Sequence, residues 1–299
     1  MPVRHQVDLP DGPASYLEWL PQADPRGTVV LLHGGGLDSA ELSWGDFGGR
    51  LADGGYRVLA PDAPGYGHTP LPAWPSTQEN LVRFAGAFVN ALDLDGFVLG
   101  GISMGGGMTL GYALEHPGRV RAIIPVCTAG IMDRQRDGWV SGAFHLTSWL
   151  SLHSGLLDAG FRMVAASRPM LRWSLAQIIS NPARLTPALL DAAMAEAARP
   201  SGSQAFGQWQ RDQILRDRIR TNYLPRVGEL TMPALVVHAE RDVGVPVQRA
   251  RELAAALPHC RLVVVPDAGH WVVRDAPDEV ATEVLDFLAS LEPAGPQAS

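Results

Sequence analysis

The chain contains no lysine. All 24 of its basic residues are arginine, against 31 acidic residues, giving a net charge of -7. That balance argues against a nucleic-acid surface, which needs a basic patch, and the arginine-only usage reads as genome composition rather than chemistry. Cysteine is scarce as well. Cys127 and Cys260 stand in the apolar strand-like runs IIPVC and CRLVVV, too few for a disulfide framework, and read as buried free thiols. The opening MPVRHQVDLPDG lacks an apolar signal core, so a cytoplasmic location is expected. One uncharged window, Gly96 to Leu114, is long enough to suggest a membrane span. Its seven glycines suit a buried strand followed by a close-packed helix better, and no membrane association is expected. With 46% hydrophobic and 18% charged residues, the chain has the composition of an ordinary globular protein of one large domain or two.

What is present is an alternation. VRHQVDL and ASYLEWL read as two strands joined by a turn at Pro10 to Pro13. TVVLLHGGG is a β-branched run stopped by three glycines, as expected of a strand buried on both faces. A helix from Trp44 to Asp53 leads to the strand YRVLAPD, a helix from Asn80 to Leu92 to the strand FVLGGI, and a helix from Met104 to Glu115 to the strand VRAIIPVC. His116-Pro117 ends the third helix. The pattern resumes with PALVVHAE, a helix from Val247 to Leu257, CRLVVVP, and a closing helix from Asp278 to Leu291. Eight strands in such an order predict an α/β fold with a mostly parallel sheet flanked by helices. Residues 1–128 and 233–291 form its core. Residues 129–232 have helical spacing, little β-branched material and four of the eight tryptophans, with twelve arginines against eight acidic residues. They are expected to form a helical cap inserted between two strands, and the tail 292–299 to be disordered.

In an open α/β sheet, functional groups gather at the carboxyl ends of the strands. Four features fall there: His33-Gly-Gly-Gly36, Ser103 in the G-x-S-x-G stretch GISMG, Asp242 in RDVGVP, and His270 in DAGHW. A pentapeptide with two glycines carries little weight in a chain with 32 of them, but its position at a strand-to-helix turn does. A serine hydroxyl is a poor nucleophile unless a base takes its proton and a third group orients that base. His270 is the expected base. Asp242 is the expected orienting acid, ahead of Glu240, which belongs to the strand end, and Asp267, which reads as a turn residue. The backbone N–H groups of Met104 and Gly35 are expected to bind a developing oxyanion. Gly36, Leu37 and Trp271 are expected against the substrate. No Lys-Ser/Thr follows the glycines, which excludes a phosphate loop, and no histidine or cysteine spacing suggests a metal. No cofactor is expected.

HGGG, APDAPGYGHT, GISMGG, RDVGVP and DAGHW stand in the order and spacing of α/β-hydrolase fold proteins, and the chain resembles a capped member of that family along nearly its whole length. Among capped members it is similar to esterases and to hydrolases that cleave carbon–carbon bonds in ring-fission products. It departs from the latter in two places. Ile102 stands before the serine where they have asparagine, and LLDAAMAEAA lacks their cap arginine, for which Arg211 or Arg216 could substitute. Serine at position 103, and Tyr223 as the cap's single tyrosine, set it apart from epoxide hydrolases. The resemblance implies a cofactor-independent serine hydrolase acting on a small molecule with an apolar acyl or aromatic group. The expected reaction is carboxylic ester hydrolysis. The alternatives are carbon–carbon cleavage of a vinylogous diketone (a meta-cleavage product) and a slow-turnover or non-catalytic ligand receptor. A homo-oligomer is left open.

Overall fold

A computed structural model describes residues 1–136 and 141–291. Trp139 and the tail 292–299, expected in the cap and as disordered, lie outside the described residues. The sheet has eight strands: β1 Val3–Leu9, β2 Gly12–Trp19, β3 Thr28–Leu32, β4 Arg57–Pro61, β5 Phe97–Ile102, β6 Val120–Val126, β7 Ala234–Ala239 and β8 Cys260–Val265, in the order β1-β2-β4-β3-β5-β6-β7-β8. The β1–β2 hairpin turns at Pro10-Asp11, with Leu9 opposite Gly12, and β2 pairs antiparallel with β4. Every later pairing is parallel.

The continuous apolar runs follow from burial on both faces. Successive side chains of a strand point to opposite sides. Thus Val29 and Leu31 enter one core cluster and Val30 and Leu32 the other, as Val98 and Leu99 do from β5. The first cluster is covered by α1 (Ala40–Asp53) and α10 (Pro277–Ser290), and the second by α2 (Gln78–Ala91), α3 (Met104–Glu115) and α9 (Val247–Ala256). Helix α2 shows why such segments fold as helices. Leu81, Phe84, Ala85 and Phe88 recur at helical spacing and are buried together, and each large side chain removed from water contributes roughly 1.5–3 kcal/mol. Thr77 stops the helix at its start by accepting the Asn80 N–H.

Helix α1 begins four residues before the expected Trp44, because Ser39 accepts the Leu42 N–H and caps it. The reading of both cysteines as buried is corrected at Cys260. Cys127 is buried, but Cys260 opens β8, which pairs with β7 at the end of the sheet order, and is partly exposed. The uncharged window 96–114 is the β5–α3 unit, and no described helix is long and apolar enough to cross a membrane.

Between β6 and β7, neighbours in the sheet, the chain forms α4 (Ser141–His153), α5 (Leu156–Ala165), α6 (Arg168–Leu175), α7 (Pro187–Ala197) and α8 (Pro200–Gln213), with 3-10 turns at Pro182–Arg184 and Leu224–Glu229. Helices α7 and α8 dock on the loop after β4: Glu196 accepts the Gly67 N–H, Gln208 the Ser76 N–H and Asp212 the Gln78 N–H. The last residues of the segment return to the sheet, where Val227, Leu230 and Met232 join the second core cluster.

Candidate active site

Ser103 stands between β5 and α3 with φ 53° and ψ -115°, a conformation that costs a non-glycine residue about 1–3 kcal/mol. Backbone hydrogen bonds hold it there. Its N–H donates to Val126 O, and its carbonyl accepts from Gly107 and Ala129, all at 3.0 Å. The flanking glycines are required by contact. A Cβ on Gly101 would lie 2.3 Å from the Gly105 carbonyl oxygen, and one on Gly105 would lie 2.3 Å from that of Leu32. The G-x-S-x-G pattern is thus the sequence trace of a sharp bend packed against β3.

Asp242 follows β7 and His270 follows β8. His270 Nδ1 donates to Asp242 Oδ2 at 2.8 Å and Oδ1 at 2.9 Å. Because a carboxylate accepts, Nδ1 carries the proton and Nε2 is left with a lone pair. The carboxylate is fully buried, while the imidazole keeps partial access to solvent. Gly244 and Val245 donate their N–H groups to Asp242 Oδ1 at 2.7 and 2.9 Å. Burial opposes the charge of Asp242, but His270, His238 and the Val245 amide outweigh it and hold the carboxyl below its ordinary range. The two rival acids lie elsewhere: Glu240 accepts the Asp267 N–H, and Asp267 pairs with Arg241 at the exposed surface.

Ser103 and His270 open onto one cavity of about 260 Å³. Gly35, Gly36, Leu37, Met104 and Trp271 line it too, as do Phe161, Ser174, Leu175, Ile178, Phe206 and Trp209 from the helical segment. Met104 opens α3, so its N–H is among the first-turn donors that the helix leaves unused. Of the helical segment's aromatic residues, Phe161, Phe206 and Trp209 reach the cavity, whereas Trp173 is 65% exposed. Neither Arg211 nor Arg216 lines it; Arg216 borders a separate surface groove with Arg134 and Asp217.

Sequence reasoning missed the residues that hold the loops. Asp38, which also lines the cavity, accepts the Gly34 and Ser39 N–H groups at 2.7 and 2.8 Å and the Ser43 hydroxyl at 2.7 Å. Burial raises its carboxyl above the ordinary range, against the pull of His33 and these donors. Ser43 in turn accepts the Trp271 indole N–H at 3.0 Å, tying the glycine loop to the residue after His270. His33 Nε2 accepts the Ala63 N–H, so its Nδ1 carries the proton and donates to Gly34 O. Asp275 accepts from Gly269, Ser180 and Asn181 at 2.6, 2.7 and 2.8 Å, fastening the His270 loop to the helical segment. A short polar residue just after the glycines was the one available signal for Asp38; Asp275 gave none.

A parallel sheet with a strained serine after β5, a carboxylate after β7 and a histidine after β8 defines a class, and comparison with known proteins agrees. The chain belongs to the α/β hydrolase fold family, whose model matches residues 27–277. It is 28% identical over 265 residues, 87% of its length and 86% of the relative's, to a 2-hydroxy-6-oxononadienedioate/2-hydroxy-6-oxononatrienedioate hydrolase of Dechloromonas aromatica (strain RCB). It is 27% identical over 291 residues, 93% of both chains, to the 2-hydroxy-6-oxo-6-phenylhexa-2,4-dienoate hydrolase of Burkholderia cepacia. In fold it matches the meta-cleavage product hydrolase of Pseudomonas fluorescens IP01 with a TM-score of 0.77 at 20% identity, over 96% of this chain and 98% of that one.

Proposed function

We propose that this chain is a serine hydrolase in which Ser103 is the nucleophile, His270 the base and Asp242 the orienting acid, and that it cleaves the carbon–carbon bond of a vinylogous diketone with an apolar or aromatic substituent. The observation that carries the reading is the doubly bonded His270–Asp242 pair, opening with Ser103 onto one largely apolar cavity. The hydrolases of ring-fission products among its relatives favour this bond over the ester expected from sequence. Residues 129–232 serve as the cap, excluding water and shaping the acyl side.

The chemistry follows from the positions. The Ser103 hydroxyl adds to the substrate carbonyl while His270 Nε2 takes its proton. The Gly35 and Met104 N–H groups stabilise the oxyanion, a contribution of about 3 kcal/mol per donor. As the tetrahedral carbon collapses, the breaking bond's electron pair passes to the leaving carbon, where the conjugated ketone delocalises it, and His270 returns the proton. Water, deprotonated by His270, then releases the acid from Ser103.

A second reading, ester hydrolysis, is favoured by one observation. Among the described residues no arginine lines the cavity, and its carboxylate is Asp38, whereas the relatives' substrates are named as carboxylates. One assay set separates the two. Wild type and Ser103→Ala are given 2-hydroxy-6-oxo-6-phenylhexa-2,4-dienoate, followed by loss of its colour, and p-nitrophenyl esters of increasing chain length. Ser103→Ala is expected to lower turnover at least about 10³-fold with little change in melting temperature. A folded variant with full turnover overturns the nucleophile. Turnover confined to the esters overturns the carbon–carbon reading in favour of the second.

A further inference from the structure

Strand β7 and the end of β6 bring a second histidine and a thiol against the Asp242 carboxylate. His238 is fully buried, and its Nε2 lies 2.9 Å from the Val245 carbonyl and 3.4 Å from Asp242 Oδ2. A carbonyl accepts, so Nε2 carries the proton and presents it to both oxygens. The other ring nitrogen, Nδ1, is buried with no hydrogen-bond partner. Such an unpaired nitrogen destabilises the fold, and a valine, like the neighbouring Val236 and Val237, would fill a strand position without that cost. What the ring contributes therefore lies at Nε2.

The two oxygens of Asp242 are unequally served. Oδ1 accepts from the Gly244 and Val245 amides as well as from His270, whereas Oδ2 accepts from His270 and has His238 Nε2 3.4 Å away, and the Cys127 thiol donates to the same carboxylate. We propose that His238 is a positioning residue: its Nε2–H, shared between the Val245 carbonyl and Asp242 Oδ2, fixes the carboxylate in the orientation that holds His270. This rests on the triad roles proposed above. The groups facing His238 are Asp242 and Val245 of the β7–α9 loop, His270 of the β8 loop and Cys127 at the end of β6. The Cys127, His238 and Asp242 ligand atoms all lie within 4.8 Å of one another. Burial keeps the imidazole neutral by lowering its pKa, and keeps the Cys127 thiol protonated by raising its own. The carboxylate therefore meets a dipole there and no second full charge.

Two measurements test this without a known substrate. Side-chain nitrogen NMR of the wild-type protein should show His238 as the neutral Nε2–H tautomer throughout the range in which the enzyme is active. A protonated ring or the Nδ1–H tautomer overturns the proposal. Phosphonylation of Ser103 by a fluorophosphonate then reports how well the base is held. His238→Leu should react about tenfold more slowly, as expected for a misplaced catalytic group, with the downfield His270 Nδ1 proton broadened or lost. His238→Gln, whose amide nitrogen can occupy the Nε2 position and keep a donor there, should stay closer to wild type than His238→Leu. A folded His238→Leu that reacts at the wild-type rate overturns the proposal, as does His238→Gln losing as much as His238→Leu. If His238→Leu does not fold, the tautomer measurement and His238→Gln decide. Labelling that survives Ser103→Ala would instead overturn the triad, and the tautomer result would still stand.

Discussion

The sheet with its loops and the helical segment between β6 and β7 solve different problems. Around the sheet, backbone meets backbone: Gly101 and Gly105 have carbonyl oxygens where a Cβ would stand, and Ser103 is pressed into a strained conformation by three backbone hydrogen bonds. In the helical segment, Gly155 and Gly160 have nothing within 4 Å of that position, and Phe144, Leu150, Leu156, Met163 and Trp173 are exposed. The first region fixes where atoms sit, which proton transfer over hydrogen-bond distances demands. The second supplies apolar walls, where a shift of an ångström alters which substrate fits more than whether bonds break. The two meet at Asp275, whose carboxylate holds the His270 loop with one oxygen and shares Ser180 and Asn181 between both.

The largest expected effect sets one glycine of each region against the other. Gly105→Ala would force a methyl to within 2.3 Å of the Leu32 carbonyl and 2.5 Å of that of His33, backbone atoms of β3 and its loop that cannot swing aside. It should destabilise the protein by roughly 3 kcal/mol or more and remove activity, since relief requires β3 and the serine turn to separate. Gly160→Ala lies inside α5 with open space around it. It should leave activity unchanged and raise stability by up to about 1 kcal/mol through helix propensity. Chemical denaturation of the two variants checks this. Equal losses would mean that α5 is as constrained as the serine turn.

The same contrast explains what could be read from the chain alone. Strands buried on both faces announce themselves as unbroken apolar runs, and the sheet delivers whatever follows each strand to one edge. Ser103, Asp242, His270 and the first glycine loop were therefore legible from short motifs placed on strand ends. The supports were not. His33 meets Ala63, Ser43 meets Trp271, and His238 meets Asp242 because of strand order and loop packing, and no local spacing encodes these pairs. In the helical segment the period of apolar residues gave helices but no partners, so Phe206 and exposed Trp173 looked alike. Helix starts were missed where a polar cap, Ser39 or Thr77, precedes the first apolar residue of the period.

An intermediate effect is expected at Phe206, where the two regions touch. Its ring edge lies so close over Gly35 that a Cβ there would be 2.6 Å away, and the ring stacks on Trp209 with centroids 5.9 Å apart. It thus roofs the proposed oxyanion donor. Phe206→Ala should shift preference toward bulkier acyl groups by at least about tenfold in kcat/KM, the worth of a single methylene in an apolar pocket. Loss of kcat on every substrate alike would instead place Phe206 with the geometry-fixing region.

The smallest effect concerns acid stability. His238 and Asp242 both have pKa values lowered by folding, His238 chiefly by burial and Asp242 by its partners against burial. For both, the unfolded chain binds protons more readily, so their stabilisation is present at neutral pH and lost as pH falls. They separate by window: His238 begins to lose its share as pH drops below its ordinary value of 6.5, and Asp242 only below about 3.8. Asp38 and Glu196, raised mainly by burial, act with the opposite sign, adding stability as pH falls. Among the groups with lowered pKa values, the loss between pH 7 and 5.5 belongs to histidine, with His68, also lowered but closer to the surface, adding less than His238. Melting temperature should fall more steeply over that interval in the wild type than in His238→Leu. An unchanged slope in that variant would move the acid sensitivity from the sheet to the outer loops.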